Sequence, residues 1–362
     1  MFTRPASDRD SWASLAAILR DATRRVVPLI AVVAGLAAAL AGCGGSASPG
    51  TASRTTSDAP ARAPVTRRPR PVLPVSLTYR SLYSLPAPLR DPAYAALGGT
   101  RFAMLGGLDA ADVSADEIEI ADLTRVLHTG TLPAPQHDAQ AALLGGKVYV
   151  FGGGDTTELD HILGYDPASG AVATAGALLA PQSDVAVTRA GDQAYIVGGF
   201  DGTTYLDTIV AWHPGAGPQI VGRLPVGLRY AAVAVADGGV LVIGGSTPAG
   251  ASSAIYRFDL ITRRVTRLGS LAHPVTHAEA ATLGSSVYLI GGRGNLDNEQ
   301  TAAVYAVDPL TGRVKPAGHL PHPTSDAAAV TIGAAIVVAG GQSPTGTLDG
   351  VGELVPATAA AP

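Results

Sequence analysis

The amino-acid sequence predicts an all-β fold, a β-propeller of six blades, and three observations lead to it. An apolar run ending in Gly-Gly occurs six times, and successive Gly-Gly pairs are 46, 46, 46, 47 and 49 residues apart. The chain is rich in turn-forming residues, with 44 glycines and 27 prolines. Each copy reads as four short strands, and such a repeat of about 50 residues is typical of propeller blades. The apolar runs are residues 102–105, 148–151, 194–197, 240–243, 287–290 and 335–339.

The four predicted strands of a copy differ in composition. The first consists of small residues, as in 139–143, and a tight turn at Gly145-Gly146 follows. The second is an unbroken apolar run, because a strand in the middle of a blade is buried on both faces. Its terminal glycines allow positive φ where the chain turns away. The third strand ends in turn sequences such as Asp166-Pro167, before a fourth, more polar strand.

Composition and charge limit the functional classes. Hydrophobic residues make up 47% of the 362 residues and charged residues 15%, which is enough apolar material for a large core. The formal net charge is −4, but from Val72 onward 25 acidic residues face 15 basic ones, a net charge of −10. An acidic domain without a basic stripe is not expected to bind nucleic acid. The single cysteine excludes an intrachain disulfide, and we expect a monomer.

The first 42 residues predict a signal peptide of the lipoprotein type. Five arginines precede an uncharged apolar run over residues 26–41, which is shorter than the ~20 residues of a typical membrane-spanning helix. Leu40-Ala41-Gly42-Cys43 resembles a bacterial lipobox. The resemblance implies cleavage before Cys43, acylation of this cysteine, and lipid anchoring to the outer face of the bacterial cell membrane. The alternative is an uncleaved signal anchor in which Cys43 has no role.

The remaining boundaries follow from composition and from the repeat. Residues 43–71 are dominated by Gly, Ser, Thr, Ala, Pro and Arg, which predicts a disordered tether after the lipidated cysteine. Residues 72–357 form the propeller, and residues 358–362 are expected to be a disordered tail. The sixth copy ends after its third strand, so residues 72–84 are predicted to supply its missing fourth strand. This closure leaves no exposed sheet edge.

Two segments carry a resemblance to a known family. Residues 198–207, Gly-Gly-Phe-Asp-Gly-Thr-Thr-Tyr-Leu-Asp, and residues 148–153, Val-Tyr-Val-Phe-Gly-Gly, resemble kelch repeats. The resemblance extends over roughly residues 72–357 and implies a kelch-type propeller. The chain departs from the family in the fourth strand, where valines stand in the region of the expected tryptophan. Those valines are Val172, Val265 and Val314.

Six aligned turns place candidate ligand-binding residues on one rim. In a four-stranded blade the loop before strand one and the loop after strand two lie on the same face. We expect one column at the mouth of the central channel, formed by Asp91, Asp138, Asp184, Tyr230, His277 and Asp326. Arg90, His137, Ser183, Arg229, Thr276 and Ser325 form a second column beside it, and Asp109, Asp155, Asp201 and Arg293 follow the Gly-Gly pairs. The candidate rim is Asp91, Asp138, Asp184, Arg229, Tyr230, His277, Arg293 and Asp326.

A structural explanation competes with this one. An aspartate before a strand commonly accepts N–H bonds in its own turn, so the aspartates would then repeat for structural reasons. In that case Tyr230 and His277, which break the column, are the better functional candidates.

The sequence favours a membrane-anchored binding module that recognises a protein or a glycan on the rim. Two alternatives remain: a sugar-isomerising or other carbohydrate-active enzyme, which the kelch resemblance implies, and a structural protein of the cell envelope. A copper oxidase of the kelch type is excluded, because its site needs a tyrosine crosslinked to a cysteine and Cys43 lies outside the propeller. We predict no catalytic residues and no cofactor. No metal site is expected, because the pairs His319/His322 and His273/His277 flank loops, where the ligand spacing of a helix does not apply. No nucleotide-binding motif is present either, because the Gly-Gly pairs end strands and open no helix.

Overall fold

The computed structural model describes residues 76–357, and this range contains strands, turns and bends but no helix. No helix in this range is therefore long and apolar enough to cross a membrane. The predicted signal peptide, Cys43, the tether and the tail from residue 358 lie outside the described residues.

Six four-stranded antiparallel sheets form the six blades of a propeller. Strands are numbered in chain order, and each blade is given from its first strand to its fourth. Blade 1 contains β2 (Ala93–Gly98), β3 (Arg101–Leu105), β4 (Glu117–Ala121) and β5 (Val126–Thr131). Blade 2 contains β6 (Gln140–Leu144), β7 (Lys147–Phe151), β8 (His161–Tyr165) and β9 (Val172–Ala177). Blade 3 contains β10 (Ala186–Ala190), β11 (Gln193–Val197), β12 (Thr208–Trp212) and β13 (Gln219–Arg223).

The second half of the chain continues the pattern. Blade 4 contains β14 (Ala232–Ala236), β15 (Gly239–Ile243), β18 (Ala254–Asp259) and β19 (Val265–Ser270). Blade 5 contains β20 (Glu279–Leu283), β21 (Ser286–Ile290), β22 (Ala303–Val307) and β23 (Val314–His319). Blade 6 contains β24 (Ala328–Ile332), β25 (Ala335–Ala339), β28 (Gly350–Pro356) and β1 (Leu77–Ser84). Two short ladders extend the loops of blades 4 and 6: β16 (Ser246–Thr247) with β17 (Gly250–Ala251), and β26 (Gln342–Ser343) with β27 (Gly346–Thr347).

The ring closes through the N-terminal strand, as the sequence predicts. In blade 6, β1 pairs with β28, with Leu77 opposite Pro356 and Ser84 opposite Gly350. The first strands of neighbouring blades contact one another in a closed circle and line the central channel. Every middle strand therefore has paired neighbours on both sides, which accounts for the unbroken apolar runs.

The core consists of six clusters, each between two neighbouring blades. Between blades 2 and 3, the Trp212 ring contacts Phe151 and Tyr149, with ring centroids 5.3 and 4.9 Å apart. Blades 2, 3 and 4 each bury a large ring at the end of the third strand: Tyr165, Trp212 and Phe258. The aromatic ring that the fourth strand lacks is thus provided in these blades by the third strand.

The Gly-Gly pairs have a steric explanation, which Gly153 illustrates. Its φ is +88°, and a Cβ there would lie 2.7 Å from the His137 carbonyl oxygen and 2.7 Å from the Ala139 methyl carbon. The His137 oxygen is held in place, because it accepts a hydrogen bond from the Gly154 N–H at 2.9 Å. Only glycine fits where the second strand passes under the incoming first-strand loop.

Candidate functional site

The six residues predicted to form the first column share an unusual backbone conformation. All six have positive φ, between 51° and 59°, in the left-handed region. Five hydrogen bonds link the main chains of neighbouring column residues around the channel, such as Asp184 N–H to Asp138 C=O at 2.9 Å. The column is Asp91, Asp138, Asp184, Tyr230, His277 and Asp326.

This ring explains why aspartate repeats. Aspartate tolerates the left-handed region better than most residues, so the main chain favours it at each blade junction. The carboxylates themselves pair with side chains: Asp91 with Arg90 at 3.0 Å, and Asp138 with the Tyr230 hydroxyl at 3.0 Å. The aspartates thus repeat because of the left-handed backbone, and not through the N–H bonds in their own turns that the sequence suggested, while the side chains are directed to one another and to the channel. Tyr230 bears the greatest conformational cost, because a bulky residue rarely adopts this φ.

The second column anchors the rim loops. Each of its members forms an isolated bridge with a residue after Gly-Gly, as Thr276 does with Arg293 through an N–H to C=O bond of 2.9 Å. The residues that correspond to Arg293 are Leu108, Gly154, Phe200, Ser246 and Gln342. In the predicted grouping that follows the Gly-Gly pairs, Arg293 thus lies at the bridged position, and Asp109, Asp155 and Asp201 lie one position further along the chain.

The three aspartates of that grouping lie in other environments. Asp109 Oδ1 accepts N–H bonds from its own loop, including one from Ala111 at 2.7 Å, and Asp201 Oδ1 does the same with Thr204 at 2.7 Å. Asp155 accepts a hydrogen bond from the Ser114 hydroxyl at 2.6 Å. Two of the three thus stabilise their own turns.

A pocket of about 330 Å³ opens at the mouth of the channel, and we call it the mouth pocket. It gathers six of the eight predicted rim residues: Asp91, Asp138, Tyr230, His277, Arg293 and Asp326. Arg90, Leu108, Asp112, Asp297, Gln300 and Gln342 complete it. The other two predicted residues, Asp184 and Arg229, lie beside it and form an ion pair. The Arg229 guanidinium also lies over the rings of Phe200 and Tyr230, at 4.6 and 4.8 Å from their centroids.

Burial dominates the electrostatics of the carboxyl groups. Burial and repulsion by Asp138 raise the pKa of Asp184 to about 7, although Arg229 opposes the shift. Burial and the charge of Asp326 raise the pKa of Asp91 well above its usual value, and the pKa of Asp326 is also raised by burial. With a pKa of about 7, the Asp184 carboxyl group is partly protonated at neutral pH. Burial disfavours the charged form of Asp91 and Asp326 in the same way.

His277 is the most constrained titratable group of the pocket. Its ring stacks on Tyr230 with centroids 3.7 Å apart, and its Nδ1 and Nε2 lie 3.0 Å from the Thr276 hydroxyl and 3.2 Å from the Arg293 guanidinium. Burial, with Arg293 nearby, lowers its pKa well below the usual value. The imidazole is therefore neutral. Since Arg293 can only donate, Nε2 is the acceptor and Nδ1 carries the proton toward Thr276.

Two buried groups that the sequence analysis missed lie below the mouth. Tyr94 of blade 1 donates a hydrogen bond across the channel to Glu279 of blade 5. Burial raises the pKa of Glu279 to about 8, so its carboxyl group is neutral at pH 7. Glu279 occupies a position held by alanine in four other blades, a departure from the repeat that could have identified it.

A second pocket, of about 570 Å³, lies between the loop over residues 271–275 and blade 5. Its lining is mostly apolar and includes Leu289, Tyr305, Val314 and Pro316. Arg293 lines both this apolar slot and the mouth pocket. The sequence did not indicate the slot, because it depends on how one loop packs over the next blade. Among residues 76–357, no three His, Cys, Asp or Glu side chains are arranged to hold a metal ion.

Comparison with known proteins supports the fold and provides no evidence about function. No family model matches the sequence, and no curated protein is significantly similar to it. Among solved structures, the structure of YjhT superposes with a TM-score of 0.65 at 15% sequence identity, covering 74% of this chain and 95% of that one. Likeness at this level of identity establishes the shared six-bladed propeller architecture alone.

Proposed function

We propose that this protein is a kelch-type binding module, held at the outer face of the bacterial cell membrane by a lipid on Cys43, that recognises a glycan in the mouth pocket. One observation carries the proposal: a concave pocket of about 330 Å³ in which arginine, histidine, tyrosine and carboxyl groups converge. Ligand sites are typically pockets of ≈ 300–1,000 Å³ with a few convergent polar groups. A protein ligand remains the other class of partner for this rim.

The chemistry of the pocket suits a hydroxyl-rich ligand. Arg90 and Arg293 supply donors, and the carboxyl groups of Asp91, Asp138 and Asp326 supply acceptors. The adjoining apolar slot offers Tyr305 and Pro316 to the apolar face of a sugar ring. Because Arg293 belongs to both pockets, one ligand of more than one sugar unit can occupy them together.

The test is a glycan array with the full chain, followed by calorimetry on the glycans retained. Arg293→Ala is expected to weaken binding at least tenfold, because a hydrogen bond to a charged group contributes about 1.5–3 kcal/mol. The matched control is Arg223→Ala, an exposed arginine paired with Asp207 at 2.5 Å outside both pockets. Equal effects of the two substitutions, with unchanged circular dichroism, would contradict the assignment of the mouth pocket.

One observation favours a second candidate, a sugar-isomerising enzyme. His277 Nε2 lies 4.0 Å from Asp326 Oδ1, so a neutral base and a buried acid flank the same space. Ring-opening exchange of a sugar, followed by nuclear magnetic resonance, should then be accelerated by the protein and lose this acceleration in His277→Ala. Binding without acceleration would leave the binding module as the function.

The lipid anchor has its own test. Cys43→Ser removes the sulfur that would carry an acyl chain, so the variant is expected in the soluble fraction after export, because stable attachment needs two or more acyl chains. Retention of the variant in the membrane would instead support an uncleaved signal anchor.

A further inference from the structure

The turns between the third and fourth strands of blades 4 and 5 form an exposed surface that combines apolar and basic residues. Ile261 is 89% exposed and Leu310 45%, at corresponding turns of the two blades. The turn of blade 5 leans on the outer strand of blade 4, because a Cβ on Gly312 would lie 2.7 Å from the Leu268 side chain. We call this surface the basal patch; it consists of Ile261, Leu310, Arg263, Arg264, Arg267, Arg313 and Lys315, all exposed.

The charge of the basal patch is opposite to that of the domain, which has a net charge of −10 from Val72 onward. The acids on this face include Asp192, an exposed residue in the first turn of blade 3 that lies near Tyr195, as Arg263 does. Two others are engaged: Asp259 pairs with Arg257 at 2.8 Å, and Asp308 Oδ1 accepts N–H bonds from Leu310 and Thr311 at 2.9 Å. Asp237 lies in the adjacent turn of blade 4 and also has a partner. By contrast, the corresponding turns of blades 2 and 3, residues 166–171 and 213–218, contain no lysine or arginine.

The chain leads into the domain on the same face. Fourth strands begin at the face opposite the mouth pocket, and β1, the fourth strand of blade 6, begins at Leu77. Leu77 lies against blade 5, since a Cβ on Gly318 of β23 would be 2.5 Å from its carbonyl oxygen. The 76 residues that precede it contain the uncharged apolar run 26–41 and the only cysteine. The part of the sequence with membrane-binding character thus enters the domain at the face that carries the basal patch.

We propose that the basal patch docks the propeller on an anionic lipid bilayer. Exposed isoleucine and leucine enter the boundary between headgroups and acyl chains, while the five basic side chains contact anionic headgroups. Docking in this way turns the mouth pocket away from the membrane. A tether alone would leave the orientation of the propeller undefined. Docking and tethering therefore differ in whether the turn around Ile261 contacts the bilayer, which can be measured. This inference does not depend on which ligand the mouth pocket takes.

The experiment uses the full chain with Cys43→Ser and Thr262→Cys, which carries an environment-sensitive fluorophore next to Ile261. We expect a blue shift on vesicles that contain phosphatidylglycerol and none on vesicles of phosphatidylcholine alone, with loss of the shift at raised ionic strength. Replacing Arg263 and Arg264 with alanine should lower the ratio of docked to undocked protein by about 25-fold, since each arginine contributes a factor of about five.

The matched control carries the fluorophore at Ser169→Cys, in the corresponding turn of blade 2 on the same face. It should show no shift on either type of vesicle. If the chain binds the vesicles but the Thr262→Cys label does not shift, the domain is held by its N-terminal segment without docking. If both labels shift equally, docking does not use the basal patch in particular. Either result would show that the proposal is wrong. The substituted positions within residues 76–357 are exposed turn residues outside both pockets, so folding, checked by circular dichroism, is expected to be retained.

Discussion

Gly153→Ala tests whether the Gly-Gly pairs are required for packing as well as for backbone conformation. The backbone φ of +88° costs an L-residue about 1–2 kcal/mol. The added methyl group would also lie 2.7 Å from the His137 carbonyl oxygen, which cannot move without losing its bond to Gly154. Relieving this overlap costs about a further 1–3 kcal/mol. The expected loss in the free energy of unfolding is therefore about 2–5 kcal/mol.

Gly146→Ala is the matched control, since Gly146 has a φ of +85° and no atom within 4 Å of its added Cβ. It should cost only the conformational part, about 1–2 kcal/mol. Urea unfolding can be followed by the fluorescence of Trp212, which is 2% exposed in the folded protein. If the two variants unfold at the same urea concentration, close approach of the loops is not the reason for the Gly-Gly pairs.

Two further predictions concern closure and the channel. Deleting residues 72–84 removes β1 and exposes the edge of β28, so we expect aggregation or a much lower melting temperature. An unchanged melting curve would show that blade 6 does not need this strand. The pKa of Glu279 is about 8 in the folded protein, against an ordinary value of 4.5, so the folded state binds this proton more tightly than the unfolded state. The free energy of unfolding therefore falls as the pH rises from 5 to 8, by up to about 1.4 kcal/mol per pH unit. Glu279→Gln should remove the Glu279 contribution and leave the shallower slope that the column aspartates produce. Equal slopes in both proteins would refute the assignment.

The repeated features of the fold could be predicted because every blade buries its middle strands against its neighbours in the same way. The apolar second strands, the Gly-Gly pairs and the closing strand recur or complete a repeat, so one copy explains the others. Residues 72–84 could be assigned because the turn after them matches the turns before the other first strands. The large rings at Tyr165, Trp212 and Phe258 were not recognised as interface residues, because they lie in the third strand instead of the fourth.

The candidate site was predicted in its residues but not in its geometry. The column was found by alignment, whereas its cause, a left-handed backbone joined around the channel, requires coordinates. Arg293 occupies the bridged position directly after Gly-Gly, whereas Asp109, Asp155 and Asp201 follow that position by one residue, and the bridges that distinguish the two positions require coordinates. The hydrogen bond between Tyr94 and Glu279 joins blades 1 and 5 across the channel, and no local pattern signals a contact between residues so distant in sequence.

The central claim is that the mouth pocket binds the ligand, and a crystal structure of the full chain with a glycan selected on the array tests it most directly. We expect ligand density between Arg90, His277 and Arg293, with a sugar ring extending toward the apolar slot. Ligand density on the outer faces of the blades, with an unoccupied mouth pocket, would contradict the claim.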